Sequence, residues 1–368
     1  MTEPACSSKK ATPDFAPRLL AWFDRHGRHD LPWQHPRSAY RVWLSEIMLQ
    51  QTQVQTVIPY FERFVTALPD LAALARASSD DVMALWSGLG YYARARHLHA
   101  AAKACLERHG GQLPADFDAL IALPGIGRST AGAILAQAHS LPFAILDGNV
   151  KRVLSRWRGI EGWPGASAIE RDLWHLAESL LPAERLADYT QAQMDLGATV
   201  CSRAAPACPR CPLSGDCIAR REGRIAELPT PKPARALPRR HCAMLLAFDG
   251  QGRVLLQKRD GPGVWNGLWS LPEAPDSATL DAFVRRHLHA ADSGRALPAF
   301  EHLFSHYRLT IAPHRHDAVQ PRLRLTEEAP LLRWAAPAEW PGIGLPAPVR
   351  QLLQSQRMLQ STPNEETP

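Results

Sequence analysis

The chain has 368 residues, of which 45% are apolar and 21% charged, and it carries a net charge of +6 with a sequence pI of about 9.1. This composition excludes a largely disordered chain, and the length predicts two or three domains. The positive charge permits binding to a polyanion. No apolar run approaches a membrane span and the N-terminus lacks a secretory signal, so we expect a cytoplasmic protein of a bacterium-like cell.

The first predicted domain, residues 15–222, is all-α. Its Ala-rich and Leu-rich text has helical spacing with short Pro/Gly breaks. Within it, S-E-I-M-L-Q-Q-T-Q at 45–53 places one carboxylate, Glu46, in a helix that is apolar on nearly every side. Burying an ionised carboxylate is costly unless it is paired. We therefore expect Glu46 to be desolvated and protonated, or to have a partner.

Two tyrosines follow a glycine turn in W-S-G-L-G-Y-Y-A-R-A-R-H-L-H, residues 86–99, and Arg94 and Arg96 follow them. Aromatic residues beside arginines are compatible with simple packing and a solvated face. On a DNA-binding surface they can instead wedge into the base stack while the arginines hold phosphates. Both interpretations remain open on the residues alone.

A helix–hairpin–helix is predicted over residues 115–138. In L-P-G-I-G-R-S-T-A-G-A-I-L, residues 123–135, a proline and two glycines lead into an Ala-rich helix. Backbone N–H groups at such a helix start can hold a phosphate without side-chain charge. Glycines before a helix also occur as plain turns, but the preceding helix-like F-D-A-L-I-A-L favours binding of the DNA backbone.

A second carboxylate, Asp147, stops the apolar run of F-A-I-L-D-G-N-V-K-R-V-L-S-R-W, residues 143–157. Aspartate is a favoured helix N-cap, which is the structural explanation. The same position is expected to lower the pKa of Asp147 through the helix dipole and backbone donors. An ionised Asp147 and a protonated Glu46 would suit acid-assisted cleavage of a glycosidic bond. On the residues alone, the catalytic and structural interpretations are evenly balanced.

Four of the seven cysteines fall within seventeen residues, at Cys201, Cys208, Cys211 and Cys217. In a reducing cytosol a metal is a better explanation than disulfides. The spacing C-x6-C-x2-C-x5-C has only one tight pair, which favours an iron–sulfur cluster over zinc without excluding zinc.

Beyond the cysteines we predict a basic Pro-rich linker at 223–240, where residues 224–240 hold four prolines and five basic residues. The pattern then becomes strand-like. M-L-L-A-F-D-G-Q-G-R-V-L-L-Q-K-R predicts two strands joined by an Asp-Gly turn, and L-F-S-H-Y-R-L-T-I at 303–311 predicts another strand. We expect an α/β domain over 241–353 and a disordered tail over 354–368.

From about residue 15 to 353 the chain resembles the MutY-type adenine DNA glycosylases, within the helix–hairpin–helix DNA glycosylases. The resemblance rests, in order, on L-P-W, S-E-I-M-L-Q-Q-T-Q, G-L-G-Y-Y-A-R-A-R, L-P-G-I-G-R-S-T-A-G, L-D-G-N-V-K-R-V-L, Q-M-D-L-G-A and the four cysteines. It implies that Glu46 protonates adenine and later helps to activate water, and that Asp147 stabilises an oxocarbenium ion. It also implies a [4Fe-4S] cluster held by Cys201, Cys208, Cys211 and Cys217. The implied DNA contacts in the first domain are Gln50, Gln51, Tyr91, Arg94, Gly125, Gly127, Ser129, Asn149 and Gln191.

Ser129 separates two branches of this superfamily. Enzymes of the endonuclease III type have a lysine here that attacks the sugar to form a Schiff base, and a serine cannot form that imine. The sequence therefore resembles the monofunctional branch. A bifunctional glycosylase/lyase and a non-catalytic iron–sulfur DNA-binding protein are the alternatives, disfavoured respectively by Ser129 and by the paired carboxylates.

The C-terminal domain resembles the Nudix fold, which this family uses to recognise 8-oxoguanine. G-L-W-S-L-P-E at 267–273 matches the Nudix pattern, but A-P-D-S-A-T-L-D-A-F-V-R-R follows where an acid-rich, magnesium-binding helix would stand, so we expect no pyrophosphatase activity. F-S-H at 304–306 implicates Ser305 and His306 in contacts to 8-oxoguanine. The expected partner is double-stranded DNA with A:8-oxoguanine or A:G mispairs. We expect the protein to be a monomer that associates with the nucleoid through DNA and does not bind a membrane.

Overall fold

The computed structural model describes residues 14–233, 236–290, 294–321 and 331–361. They divide into two compact units, one formed by the residues up to Phe61 with those from Ala104 into the linker, the other by Glu62–Lys103 with the residues beyond the linker. No helix in the described ranges is long and apolar enough to cross a membrane.

The helical structure predicted for residues 15–222 is confirmed, and helices follow one another up to the cysteine region. They are α1 (Phe15–His26), α2 (Ala39–Leu49), α3 (Val54–Ala67), α4 (Leu71–Arg76), α5 (Ser79–Trp86), α6 (Ala93–Arg108), α7 (Phe117–Ile121), α8 (Arg128–His139), α9 (Gly148–Arg158), α10 (Ser167–Ser179), α11 (Leu186–Asp195) and α12 (Ile218–Arg221). A π-helical turn, Leu196–Val200, and a 3-10 turn, Cys208–Arg210, lie between α11 and α12. Several helices begin at polar caps, such as Ser38 before α2 and Asp147 before α9.

The core of the first unit joins α1, α9, α10 and α11. Phe15 packs on Trp157 with ring centroids 4.7 Å apart, and Leu173 and Tyr189 are buried beside them. Burial of these large apolar side chains is the main force that holds the helices together. The N-terminal end of α9, where Asp147 lies, is therefore anchored to a rigid core.

Helix α8 is held against the segment that precedes Asp147. A Cβ on Gly132 would lie 2.3 Å from the carbonyl oxygen of Ala144, so only glycine permits this approach. The Ser129 hydroxyl also accepts a hydrogen bond of 3.0 Å from the backbone N–H of Leu146. On another side, α8 packs on α2. These contacts place α2, α8 and the start of α9 side by side.

In the second unit, strands and helices form the predicted α/β domain. The strands are β1 (Arg239–Asp249), β2 (Val254–Lys258), β3 (Trp269–Ser270), β4 (Glu273–Ala274), β5 (Leu288–His289), β6 (Arg295–Ala296), β7 (Phe300–Leu303), β8 (Arg308–Pro321) and β9 (Leu332–Ala335), with helices α13 (Ser277–His287) and α14 (Ala347–Ser361). The central path of the sheet is β3-β2-β1-β8-β5, and β1 and β8 are parallel. The predicted Asp-Gly turn joins β1 to β2, which are antiparallel.

The segment Glu62–Lys103, which we predicted as part of the first domain, belongs by its contacts to the second unit. The carboxylate of Asp80 accepts hydrogen bonds from Lys258 and from the indole N–H of Trp269. The hydroxyl of Ser87 donates to the carbonyl oxygen of Leu345 and accepts from Arg350. Such bonds join residues far apart in the chain, which helical periodicity does not reveal.

Three boundaries in the second unit differ from the sequence prediction. Residues 303–311 are not one strand, because β7 ends at Leu303 and a turn closed by Phe304 N–H and the Tyr307 carbonyl precedes β8. The tail predicted to be disordered from 354 continues α14 to Ser361, since Leu353 and Gln356 are buried; residues 362–368 lie outside the described part. β1 begins at Arg239, within the predicted linker.

Candidate active site

Glu46 lies in the second half of α2, where α8 packs against that helix. The amide Nε2 of Gln137 on α8 donates to its Oε1 at 3.4 Å. Burial and the nearby charge of Asp147 raise the pKa of Glu46 to about 7, while the Gln137 hydrogen bond acts in the opposite direction. The raised pKa agrees with the expectation of a desolvated, protonated carboxyl.

Asp147 caps α9 and lies close enough to Glu46 for its charge to act on it. Its Oδ1 accepts the Val150 backbone N–H at 2.8 Å, and its Oδ2 accepts the Asn149 side-chain amide at 3.1 Å. The expectation of a lowered pKa is wrong, because burial outweighs these donors and raises the pKa of Asp147. Burial therefore raises the pKa of both carboxyls, and neighbouring carboxyls with raised pKa values are typical of acid–base sites.

A chain of hydrogen bonds joins Asp147 to the cysteine region. Asn149, predicted as a DNA contact, donates to Asp147 and accepts from Arg152 at 2.9 Å. The Arg152 guanidinium also donates to the carbonyl oxygens of Cys201 and Gly197, both at 2.7 Å. A Cβ on Gly197 would lie 2.5 Å from that of Asn149, so the glycine leaves room for this amide. Asn149 thus supports Asp147 within the protein.

The predicted hairpin is formed by α7, a short loop and α8. Gly125 has a φ of +78°, a left-handed conformation that glycine adopts without strain, and Gly127 is the exposed N-cap of α8. None of the described side chains caps this helix start. Its first backbone N–H groups are therefore suited to an external anion such as a phosphate.

Gln50 and Gln51 follow α2 at the surface of the first unit. Gln50 caps the C-terminus of α2, and the exposed Gln51 has a φ of +59°, which is strained for a residue with a side chain. Strain at an exposed polar residue is a common feature of functional loops.

Gln191, in contrast, does not reach the surface. Its side chain is 2% exposed, and its amide Nε2 donates a hydrogen bond of 2.8 Å to Asp195 Oδ1. The same oxygen accepts a hydrogen bond of 2.6 Å from the Arg28 guanidinium. Its predicted role as a DNA contact stays a prediction, since the hydrogen bond of its amide is internal. The amide helps to satisfy a buried acidic group, as such groups require.

Tyr91, in the loop between α5 and α6, is exposed, whereas Arg94, in the first turn of α6, is buried. Tyr91 is 47% exposed with a φ of +49°, whereas Arg94 is 8% exposed. The Arg94 guanidinium lies 5.2 Å from the Tyr91 ring and 5.4 Å from the Trp86 ring, and it donates to the Gly90 carbonyl at 3.2 Å. Burial lowers the pKa of Arg94 to about 10. Arg94 thus supports the loop that presents Tyr91, and its expected phosphate contact stays a prediction.

The four clustered cysteines are free thiols that line one cavity with Arg156 and Trp157. Burial, followed by the nearby thiols, raises the pKa of Cys211 to about 11 and also raises the pKa of Cys217. Ionised sulfur therefore needs a compensating positive group at this place. Arg156 supplies part of it, donating to Cys201 Sγ at 3.5 Å and to the Ser202 carbonyl at 2.7 Å. Among the described side chains, no three donors are spaced to hold a single metal ion. The donor set suits a cationic, thiolate-bound group.

In the second unit, Ser305 and His306 are exposed in the turn between β7 and β8. The Ser305 hydroxyl lies 3.4 Å from His306 Nδ1. The His306 ring also packs edge-on against Tyr307, with centroids 4.7 Å apart. Both polar side chains are thus available to a partner at the tip of a hairpin.

Sequence reasoning missed two residues of this site. Gln137 is a polar side chain in the otherwise apolar run A-I-L-A-Q-A, which was the available signal. Arg152 lies four residues after Gly148 in a helix that is rich in basic side chains, and nothing in the pattern marks it. Their partners come from helices and loops distant in the chain.

Comparison with known proteins identifies the family of both parts of the chain. Residues 44–179 match the family described as HhH-GPD superfamily base excision DNA repair protein, and residues 243–355 match the NUDIX domain. An adenine DNA glycosylase of Buchnera aphidicola (subsp. Acyrthosiphon pisum) is 35% identical over 345 residues, covering 93% of this chain and 97% of the relative. The adenine DNA glycosylase of Homo sapiens is 34% identical, covering 89% of this chain and 71% of the relative. Among solved structures, that of a thermostable thymine-DNA glycosylase is 26% identical in sequence and superposes with a TM-score of 0.52. The match covers 56% of this chain and 95% of the glycosylase chain.

Proposed function

The chain belongs to the adenine DNA glycosylase family, and we propose how its residues remove adenine from DNA. As a member of that family it hydrolyses the N-glycosyl bond between adenine and deoxyribose. The observation that best supports a division of labour is the pair of shielded carboxyls, Glu46 and Asp147, in which the pKa of Glu46 is raised to about 7.

In the first step, adenine leaves the base stack and enters the site between α2 and the start of α9. Protonated Glu46 transfers its proton to the departing base, so the bond between C1′ and N9 breaks with both electrons passing to adenine. The sugar is left as an oxocarbenium ion. Asp147, held by Val150 and Asn149, stabilises that positive charge.

In the second step, Glu46 is a carboxylate and accepts a proton from water, whose oxygen attacks C1′. The proton that left with adenine is thereby replaced, and Glu46 returns to its starting state. Ser129 has no amine to attack C1′, so the reaction ends at an abasic site with both DNA strands intact.

The cysteines would hold the [4Fe-4S] cluster, which, when bound, ties the loop of Cys201–Cys217 together. The surrounding residues belong to the chain itself. Arg156 neutralises sulfur charge, and Arg152 connects the Cys201 carbonyl to Asn149 and so to Asp147. The cysteine loop therefore supports the position of the catalytic aspartate.

The DNA contacts we propose use the exposed groups of each unit. In the first unit, the N–H groups near Gly125 and Gly127 hold a phosphate, and Gln50 and Gln51 contact the duplex. Tyr91, in the second unit, wedges into the base stack. In the second unit, Ser305 and His306 recognise 8-oxoguanine opposite the adenine. The protein acts as a monomer on A:8-oxoguanine and A:G mispairs.

The test is a single-turnover reaction on an A:8-oxoguanine duplex, analysed with and without alkali. We expect adenine release without strand cleavage, and strand breaks at the adenine position only after alkali. Strand cleavage without alkali, at the rate of adenine release, would establish a lyase and overturn the monofunctional mechanism. A duplex with T:8-oxoguanine serves as the control without a target base.

A further inference from the structure

Helix α8 contains one buried amide side chain, Gln137, that faces the carboxyl of Glu46. Every residue of α8 from Thr130 to Gln137 is buried, and Gln137 is 5% exposed. Its Nε2 lies 3.4 Å from Glu46 Oε1. Placing an amide in such a row is unfavourable unless it is hydrogen-bonded. Its partner is the carboxyl that the reaction uses.

We propose that Gln137 is a positioning residue that holds Glu46 Oε1 and leaves the transferable proton on Oε2. The proposal rests on the role of Glu46 as the general acid. An N–H donor stabilises negative charge on the oxygen that it contacts, so Oε1 becomes the less basic of the two. The proton then lies on the oxygen that is not held, in an orientation set by α8.

The groups that act on Glu46 come from two neighbouring elements. Among the described residues, the charged group is Asp147 at the start of α9, and the contribution from α8 is the neutral Gln137. Asp147 and burial both favour the protonated acid, whereas Gln137 favours the carboxylate. Glu46 has to donate a proton to adenine and then accept one from water. Gln137 keeps the carboxylate accessible for this second task.

Removal of the amide therefore has a defined consequence. In Gln137→Met, burial and Asp147 act unopposed, and Glu46 becomes a weaker acid with a higher pKa. Because only the protonated form starts the reaction, the rate falls as pH rises through the pKa of Glu46. A higher pKa moves this alkaline limb to higher pH, while weaker acidity and lost orientation lower the plateau at low pH.

The experiment measures single-turnover adenine release from an A:8-oxoguanine duplex between about pH 5 and 9, where the limb lies. We expect Gln137→Met to move the alkaline limb up by roughly 0.5–1 pH unit and to lower the plateau severalfold. The matched control is Gln193→Met, which removes another buried amide of the first unit, 4% exposed on α11. Its profile should be that of the unchanged protein.

An alkaline limb at the original pH in Gln137→Met would overturn the proposal. If that variant does not fold, Gln137→Asn retracts the amide by one methylene and is expected to give the same upward shift. The Glu46→Gln variant distinguishes failure of the general-acid role of Glu46 from failure of the positioning role of Gln137. A Glu46→Gln protein with normal activity would overturn the general acid itself. An inactive Glu46→Gln protein beside an unshifted Gln137 variant would overturn only the role of Gln137.

Discussion

At the scale of single residues, the site depends on how burial changes the chemistry of two carboxyls. Asp147 receives a backbone and an amide donor and still has a raised pKa, because desolvation is the larger effect. Its charge in turn raises the pKa of Glu46. Together with the larger effect of burial, this keeps a proton on Glu46 near neutral pH, where the proposed mechanism needs it.

The raised pKa of Glu46 predicts a pH-dependent cost in stability. The pKa of Glu46 is near 4.5 in the unfolded chain and about 7 in the folded protein. The stability that comes from binding this proton in the folded state is therefore complete below pH 4.5 and is lost as the pH rises through 7. Glu46→Gln removes this loss. We expect it to stabilise the fold by up to about 3 kcal/mol above pH 7 and by much less near pH 5. Urea unfolding at both pH values measures the difference; an equal effect at both would contradict the raised pKa.

Asp147→Asn separates the capping role of Asp147 from its charge. Asparagine is as good an N-cap as aspartate and carries no charge to be buried, so the free energy of unfolding at neutral pH should stay the same or rise. Adenine release should nevertheless fall by about two to three orders of magnitude, because the amide cannot stabilise the sugar cation. Thermal unfolding and single-turnover rates are the two readouts. Activity close to that of the original protein would show that Asp147 is only a cap.

At the scale of elements, α9 connects two functional parts of the first unit. Its N-terminus carries Asp147, and its middle supplies Arg152 and Arg156, which bind the backbone of the cysteine loop. The helix is also anchored to the core by Trp157. A change in the cysteine loop should therefore be transmitted to the position of Asp147.

Iron analysis of purified protein tests the assignment of the cysteine loop. Protein prepared without air should be yellow-brown and contain about four iron atoms per chain. Cys208→Ser should lose iron and weaken DNA binding, whereas Cys105→Ser, at a buried cysteine of α6, should retain both. One zinc per chain without iron would show that the loop is a zinc site.

Sequence patterns predicted most of these elements, and the failures have physical causes. Helix periodicity gave the helical domain, and the Asp-Gly turn gave the first hairpin of the sheet. Arg94 and Gln191 read as surface residues, yet each is buried beside a partner that is not visible in the local pattern. Alternation across 303–311 concealed a turn, because a tight hairpin continues the same alternation on both sides. Which carboxyl holds the proton depends on burial, which only the folded chain defines.

At the scale of the whole molecule, chemistry and recognition are assigned to different units. Glu46 and Asp147 lie in the first, and Ser305 and His306 in the second. Residues Glu62–Lys103 make their contacts with the C-terminal residues, so truncation at the linker would also remove the packing partner of this segment. The full-length chain is therefore the appropriate subject for tests of recognition.

Ser305→Ala combined with His306→Ala tests the assignment of 8-oxoguanine recognition. Loss of one or two hydrogen bonds to the damaged base should reduce the ratio of rates on A:8-oxoguanine and A:G duplexes by about tenfold to a hundredfold. Non-specific loss of affinity affects both duplexes equally and grows with salt, so the ratio is unaffected by it. His289→Ala, at an exposed histidine of β5, is the control. An unchanged ratio in the double variant would remove this turn from the recognition site.

The most direct test of the mechanism is the single-turnover rate of adenine release by Glu46→Gln in the full-length protein. Glutamine keeps the shape of the side chain and has no proton to transfer. We predict that the rate of adenine release falls by about two to four orders of magnitude. The affinity for the A:8-oxoguanine duplex should stay within severalfold of that of the original protein. A rate close to that of the original protein, with binding unchanged, would contradict the assignment of Glu46 as the general acid.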